Sequence, residues 1–171
     1  MARHFNITGE LTQELLAAGS NTTVRRISLT NVQKISKCKV DLYIEKKLTG
    51  KFYLLKGVEL PLGTTLIYDN MKFSNTPGNF GLYIKLTDGV SFPLTGTIDV
   101  TGTNTNVPGT NTLFTSELSV GDEILVTGET RTVATITSDT AATVTAAWGS
   151  DLANDTSPDC NPTAMVDVIL E

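Results

Sequence analysis

Phe80-Gly-Leu-Tyr-Ile-Lys-Leu-Thr87 reads as a β-strand that breaks off, and its natural partner, Ala164-Met-Val-Asp-Val-Ile-Leu170, arrives only at the far end of the sequence. The residues between them differ in composition. Residues 95–158 hold one base (Arg131) and eight acids, a net −7, whereas the rest of the chain holds 12 bases and 10 acids, a net +2. Seventeen of those 64 central residues are threonine. A charge and composition step of that size, placed between two strand-like runs, predicts one domain inserted into a loop of another. The expected organisation is an N-terminal arm over 1–22, a β-sandwich domain over 23–94 plus 159–171, and an inserted acidic, Thr-rich β domain over 95–158.

Working outward, the flanks carry period-two patterns. Ser36-Lys-Cys-Lys-Val-Asp-Leu-Tyr-Ile-Glu45 sets Cys38, Val40, Leu42 and Ile44 on one face and Lys37, Lys39, Asp41, Tyr43 and Glu45 on the other, the signature of a half-buried antiparallel strand. The runs 23–30, 51–55 and 64–68 look similar and are separated by turn-forming residues such as Leu60-Pro-Leu-Gly63. Strands at this spacing without intervening helices predict a sandwich. Leu11 to Ala18, closed by Gly19, is the single helix-like stretch, too short to stand without packing. Within 95–158, runs around Gly96–Val100, Leu118–Val126, Glu129–Ile136 and Ala142–Ala146 are Val/Ile/Thr-rich. With Leu118, Ile124, Val126, Val133, Ile136, Val144 and Trp148 as core, they predict a small β-barrel. The fold class expected is therefore all-β: an antiparallel β-sandwich with a small β-barrel domain inserted before the last strand.

Apolar residues make up 40% and charged residues 18% of the chain, a folded composition with no run of about 18 consecutive apolar residues. The N-terminus, Met1-Ala-Arg-His-Phe-Asn-Ile-Thr-Gly-Glu10, lacks the apolar segment of a signal peptide, so synthesis in the cytoplasm and no membrane partner are expected. In a reducing compartment Cys38 and Cys160 are expected to stay free, Cys38 as a small buried hydrophobe. Two cysteines and one histidine at these spacings make no zinc site.

The search for chemistry returns no catalytic, cofactor-binding or metal residue. G-x-S-x-G, G-x-x-x-x-G-K-[ST] and H-E-x-x-H are absent. His4 falls in the N-terminal arm with no nucleophile placed near it. Val120-Gly-Asp-Glu-Ile124 reads as a tight turn entering a strand, with Gly121 supplying backbone freedom. Asp151-Leu-Ala-Asn-Asp-Thr-Ser-Pro-Asp159 is oxygen-rich but lacks the alternating donors and distal glutamate of a calcium loop. Trp148 reads as core, or alternatively as a sugar platform. Lys34, Lys37, Lys39, Lys46, Lys47, Lys51 and Lys56, with Tyr43, Phe52 and Tyr53 nearby, form the one basic region. It reads either as a solvated strand face whose charges discourage edge aggregation or as a docking surface for an acidic protein. At a net charge of −5 nucleic acid is not the expected partner.

Two stretches carry a resemblance. Residues 27–31 (ISLTN), 40–44 (VDLYI), 53–70 (YLLKGVELPLGTTLIYDN), 80–86 (FGLYIKL) and 166–170 (VDVIL) resemble the small Ig-like or jelly-roll-like sandwich domains of tailed-bacteriophage virion proteins, especially structural proteins of marine cyanophages. Residues 110–148, with an F-T-x-E-L-x-V-G-D-x-I segment, an R-x-V-x-x-I segment and a terminal aromatic, are similar to a module of phage tail, fibre and head-associated proteins. The resemblance implies a non-enzymatic virion structural protein located in the particle, foremost a head decoration or cement protein that stabilises the capsid. Neck, connector, tail fibre or baseplate protein, or a host-glycan-binding adhesin module, are the alternatives. It further implies other virion proteins as partners (the major capsid protein, or neck and tail proteins) and a homo-oligomer.

Overall fold

The computed structural model describes residues 2–46, 50–75, 80–155 and 158–171, with backbone alone at 153–155. In chain order the elements are β1 (Arg3–Thr8), β2 (Thr12–Leu16), β3 (Thr23–Val24), β4 (Ile27–Asn31), β5 (Cys38–Lys46), β6 (Gly50–Leu60), β7 (Thr65–Tyr68), β8 (Phe73–Ser74) and β9 (Phe80–Thr87). There follow β10 (Phe92–Pro93), β11 (Thr97–Val100), β12 (Asn106–Thr110), the four-residue α1 (Phe114–Glu117), β13 (Glu123–Val126), β14 (Glu129–Ser138), β15 (Ala141–Val144), β16 (Leu152–Asp155), β17 (Asp159–Asn161) and β18 (Met165–Leu170). The chain is nearly all β and its strand pairs are antiparallel. It divides into two compact units, 1–88 with 164–171, and 89–163.

Unit 1 is a β-sandwich. One sheet runs β1-β18-β4-β7 and the other β2-β9-β5-β6. Ile7, Ile27, Leu29, Val166, Val168 and Leu170 of the first sheet share one buried cluster with Leu15, Val40, Leu42, Leu82, Ile84 and Leu86 of the second. The alternation in each strand aims every second side chain at this core, the arrangement that holds two sheets face to face. The 80–87 and 164–170 runs are not neighbours in one sheet. β9 lies between β2 and β5, and β18 between β1 and β4, so the two strands meet across the core. Alternation specifies which face a strand buries, not which strand it pairs with. The chain nevertheless leaves and re-enters unit 1 at one place: Asp88 Oδ1 accepts the Ala164 N–H at 2.6 Å.

Residues 1–22 are not an arm. β1 pairs with β18 from Arg3↔Leu170 to Thr8↔Met165, and β2 pairs with β9, so each sheet gains an edge strand from this segment. His4 is an exposed β1 residue opposite Ile169. The helix expected over 11–18 is replaced by β2. A register shift between Glu14 and Leu16 lets Leu15 and Leu16, 2% and 1% exposed, both enter the core. Two consecutive buried leucines mimic a helical stripe, but they are the product of a bulge. Pairing with β9 outweighs the weak propensity of an eight-residue helix.

Unit 2 is one sheet in the order β10-β17-β13-β14-β15-β12-β11-β16. It is open, so the expected barrel is corrected: among the described residues its edge strands β10 and β16 do not pair with each other. The buried hydrophobic set is Leu94, Ile98, Val100, Val107, Phe114, Leu118, Ile124, Val126, Val133, Ala142, Val144, Trp148 and Cys160. Ile136 is only half-buried because β14 carries two register irregularities, between Val133 and Thr135 and between Ile136 and Ser138. The unit extends beyond 95–158 at both ends, since β10 pairs with β17 and β17 with β13. The charge step follows the acids, whereas hydrogen bonding sets the boundary.

Candidate functional site

The strongest surface feature of unit 1 is built on the outer face of β2-β9-β5-β6. In β5, Leu42 points to the core and Tyr43 points out. The register places Tyr53 of β6 and Tyr83 of β9 directly opposite Tyr43. The Tyr43 and Tyr83 rings stack, 5.7 Å between centroids and 17° between planes, and Tyr43 and Tyr53 are tilted at 5.5 Å and 52°. Such pairs contribute about 0.5–1.5 kcal/mol each beyond area burial. Tyr43 is only 1% exposed although it lies on an outer face.

Three devices fix the row. Tyr83 donates its hydroxyl to Glu14 Oε2 at 2.9 Å, and that hydrogen bond is the main cause of a raised Tyr83 pKa. Gly81 leaves room for the Tyr83 ring: a Cβ there would lie 2.7 Å from Tyr83 Cε2. β6 carries register irregularities opposite Val40–Leu42 and Leu42–Tyr43, with Gly57 at φ +60°. The Gly57 N–H donates to Asp41 Oδ1 at 2.6 Å, pinning the bulge and throwing Lys56 over Tyr53, 4.8 Å from ring centroid to Nζ.

Lys51 Nζ lies 4.5 Å from the Tyr43 centroid. Its closeness to the Tyr43 hydroxyl is the main cause of a raised Lys51 pKa, yet the ammonium sits over the ring. Among the described residues the buried Tyr43 hydroxyl makes no hydrogen bond of accepted geometry. Ammonium groups thus cap two ring faces, and what the surface presents outward is preordered positive charge.

The basic region inferred from sequence separates by face. Lys39, Lys51 and Lys56 belong with the tyrosine row, and β9 adds Lys85, opposite Asp41. Lys37 pairs with Glu59 at 3.0 Å. Lys46 lies over Phe80, 5.7 Å from its centroid, and Phe80 meets Phe52 edge-on. These three continue the core-facing side of the sheet, because Phe52 is opposite Ile44 and Phe80 opposite Lys46. Lys34 precedes β5, and Lys47 lies outside the described residues. Tyr83, Gly81 and Glu14 were missed from sequence; the legible signal was the place of Tyr83 between Leu82 and Ile84, on the outward phase of its strand.

In unit 2 five of the nine acids serve the backbone. Asp122 is fully buried; its Oδ2 accepts the Ser119 N–H at 2.7 Å and its Oδ1 the Thr163 N–H at 2.9 Å. Gly121 sits at φ +97°, and its carbonyl accepts the Thr163 hydroxyl. Glu117 accepts from the Thr95 N–H, Asp139 from Thr115, Asp151 from Gly102 and Glu129 from Gly149, and Glu129 is also ion-paired with Arg131. Asp151 therefore closes a loop, and the Asp155 side chain and residues 156–157 of its run lie outside the described residues. Among the described residues no three His, Cys, Asp or Glu side chains gather as a metal site, and no helix is long and apolar enough to cross a membrane. Trp148 is 1% exposed beneath the Arg131 guanidinium, so it offers no platform to a sugar.

Both cysteines are free and buried. Burial, then the charge of Asp88, pushes Cys38 up to about 11; burial, then Asp122 and Glu117, pushes Cys160 up further. Each thiol stays protonated at neutral pH, unsuited to nucleophilic work.

Compared with protein-family models, with curated proteins and with solved structures, the chain matches none.

Proposed function

We propose that this chain is a non-enzymatic structural protein of a bacteriophage particle that docks through the Tyr43–Tyr53–Tyr83 face of its sandwich and carries unit 2 as an inserted domain. The docking role rests on one observation: a rigid, aromatic-backed row of lysines whose ring faces are already capped by ammonium groups. Positive charge held in place without side-chain ordering at the moment of contact suits an acidic protein surface. The particle setting rests on the two sequence resemblances, and head decoration is the reading taken first. Neck, connector or tail placement is the second, with the same docking chemistry on a different neighbour. The adhesin reading is weakened by the burial of Trp148 and by the lysines that cover Tyr43 and Tyr53.

Imaging purified particles labelled on unit 2 near Asn104 tests the proposal. Label spread over the shell supports decoration, label at one vertex or on the tail supports the second placement, and unlabelled particles refute both. Particles assembled with Lys51→Glu/Lys56→Glu should retain less of the protein. Undiminished retention would remove the docking face from the account.

A further inference from the structure

The whole chain is electrically divided. Unit 1 has 12 bases and nine acids (net +3), while unit 2 has one base and nine acids (net −8). Most unit 2 acids are already engaged. Glu117, Asp122, Glu129, Asp139 and Asp151 accept backbone N–H groups of their own unit. Glu123 and Asp159 are different: among the described residues neither carboxylate holds a hydrogen bond or an ion pair.

These two acids share a face. β13 pairs with β17 through Glu123↔Asn161, Ile124↔Cys160 and Leu125↔Asp159. Ile124 and Cys160 are fully buried, so Glu123, Leu125, Asp159 and Asn161 occupy the opposite, outward phase, with Glu123 and Asp159 as diagonal neighbours. From β14 the same face receives Thr132 and Thr130, opposite Glu123 and Leu125. Among the described residues unit 2 sets no base there, since its single base, Arg131, is on the other phase, over Trp148.

The tyrosine face is the complement. Its acids are engaged or balanced: Glu14 by Tyr83, Asp41 by the Gly57 N–H, Glu59 by Lys37, with Glu45 standing opposite Lys51. Among the described residues Lys39, Lys56 and Lys85 carry no ion pair.

We propose that the occupant of the Tyr43–Tyr53–Tyr83 face is a second copy of this chain, which presents the Glu123–Asp159 face of its unit 2. This rests on the docking reading above and names its partner. Because donor and acceptor faces are different surfaces, the contact is heterologous: each copy offers one of each, so copies add head to tail into a ring or a chain. The attraction is between surface charges, so it is screened by salt.

The test is sedimentation velocity of the full chain across a concentration series at about 50 mM and about 500 mM NaCl. Assembly beyond the monomer at low salt, weakened tenfold or more at high salt, is expected. Lys51→Glu/Lys56→Glu and Glu123→Lys/Asp159→Lys should each return the chain to monomer. Mixing the two variants should restore assembly, because each reversed face then meets a complementary one. The buried emission of Trp148 checks that the unit 2 variant is folded. A wild-type chain that is monomeric at every concentration, or an assembly indifferent to both reversals, overturns the proposal. If it is overturned while Lys51→Glu/Lys56→Glu still lowers retention on particles, the docking reading survives with another acidic partner. If retention is unchanged too, both fall.

Discussion

Replacing Asp122 by Ala should unlock unit 2 selectively. The carboxylate is fully buried and accepts two backbone N–H groups, from Ser119 at 2.7 Å and from Thr163 at 2.9 Å. Hydrogen bonds to a charged group contribute about 1.5–3 kcal/mol each, and removing one partner strands a buried donor. Two such bonds set an upper figure near 6 kcal/mol. Loss of the buried charge itself, which costs desolvation, offsets part of it, leaving about 3 kcal/mol. For a unit of this size that is a fall of roughly 15 °C in melting temperature. Trp148, 1% exposed and the chain's single tryptophan, reports unit 2 alone. Its emission followed against temperature should shift by that amount, while tyrosine signals of unit 1 move little. Asp122→Asn keeps one acceptor oxygen and should fall between. A Trp148 transition displaced by less than about 0.5 kcal/mol, the ordinary effect of a surface change, would refute the view that this carboxylate ties the 119–122 turn to Thr163.

Gly81→Ala should drive the Tyr83 ring off its stack, costing about 1–3 kcal/mol and lowering the Tyr83 pKa toward the ordinary tyrosine value as the Glu14 bond is lost; an unchanged spectrophotometric titration would count against it. Cys38 titrates near 9.0 when unfolded and about 11 when folded, so its contribution is intact below pH 9 and is lost as pH rises toward 11. The loss should be about 2–3 kcal/mol, read as the difference in urea stability between wild type and Cys38→Ala across pH 8–11; parallel profiles would remove the assignment. Replacing 89–163 by a short Gly-Ser turn should leave unit 1 folded, because Asp88 and Ala164 are hydrogen-bonded neighbours, and a non-cooperative melt would refute the insertion. Deleting 1–22 should abolish cooperative melting of unit 1, as Ile7, Leu15 and Leu16 leave the core at about 1.5–3 kcal/mol each; a folded remainder would return the segment to the status of an arm.

Period-two alternation was legible wherever a strand had one wet face. Cys38, Val40 and Leu42 could be assigned inward and Tyr43 outward from sequence, and β5 obeys. Pairing was not legible, since Leu82–Leu86 and Val166–Leu170 carry the same alternation and nothing local says that they face each other across the core. Bulges defeated the reading in both directions: Leu15-Leu16 imitated a helix, and Ile136 imitated a core residue. The turn in Val120-Gly-Asp-Glu-Ile124 was visible through Gly121, but one of the two amides that Asp122 accepts from, that of Thr163, lies 41 residues away. The lysine and tyrosine cluster was half legible, because Tyr43, Tyr53, Lys51 and Lys56 lie on adjacent strands of one hairpin, whereas Tyr83 and Glu14 arrive from β9 and β2.

The charge step that first marked the insertion has a structural origin. A 75-residue unit has little interior to bury, and at that size apolar burial alone leaves a marginal core. Unit 2 supplements it with carboxylates that bind the amides of its own turns, each removing a polar group from the tally of unsatisfied donors. Glu117 holds Thr95, Asp139 the start of α1, Asp151 Gly102, and Glu129 Gly149, while Asp122 works from inside the core. An excess of acids thus arises from loop closure, because a carboxylate accepts from N–H groups and a lysine or arginine cannot. The same account narrows the search for an interaction surface. A net −8 unit would attract cations over much of its surface if its acids were free, but with most of them turned to amides, Glu123 and Asp159 are left among the described residues as an uncommitted pair forming a defined patch. Specific docking needs charge concentrated at one register, and diffuse charge of equal sum would give attraction without orientation.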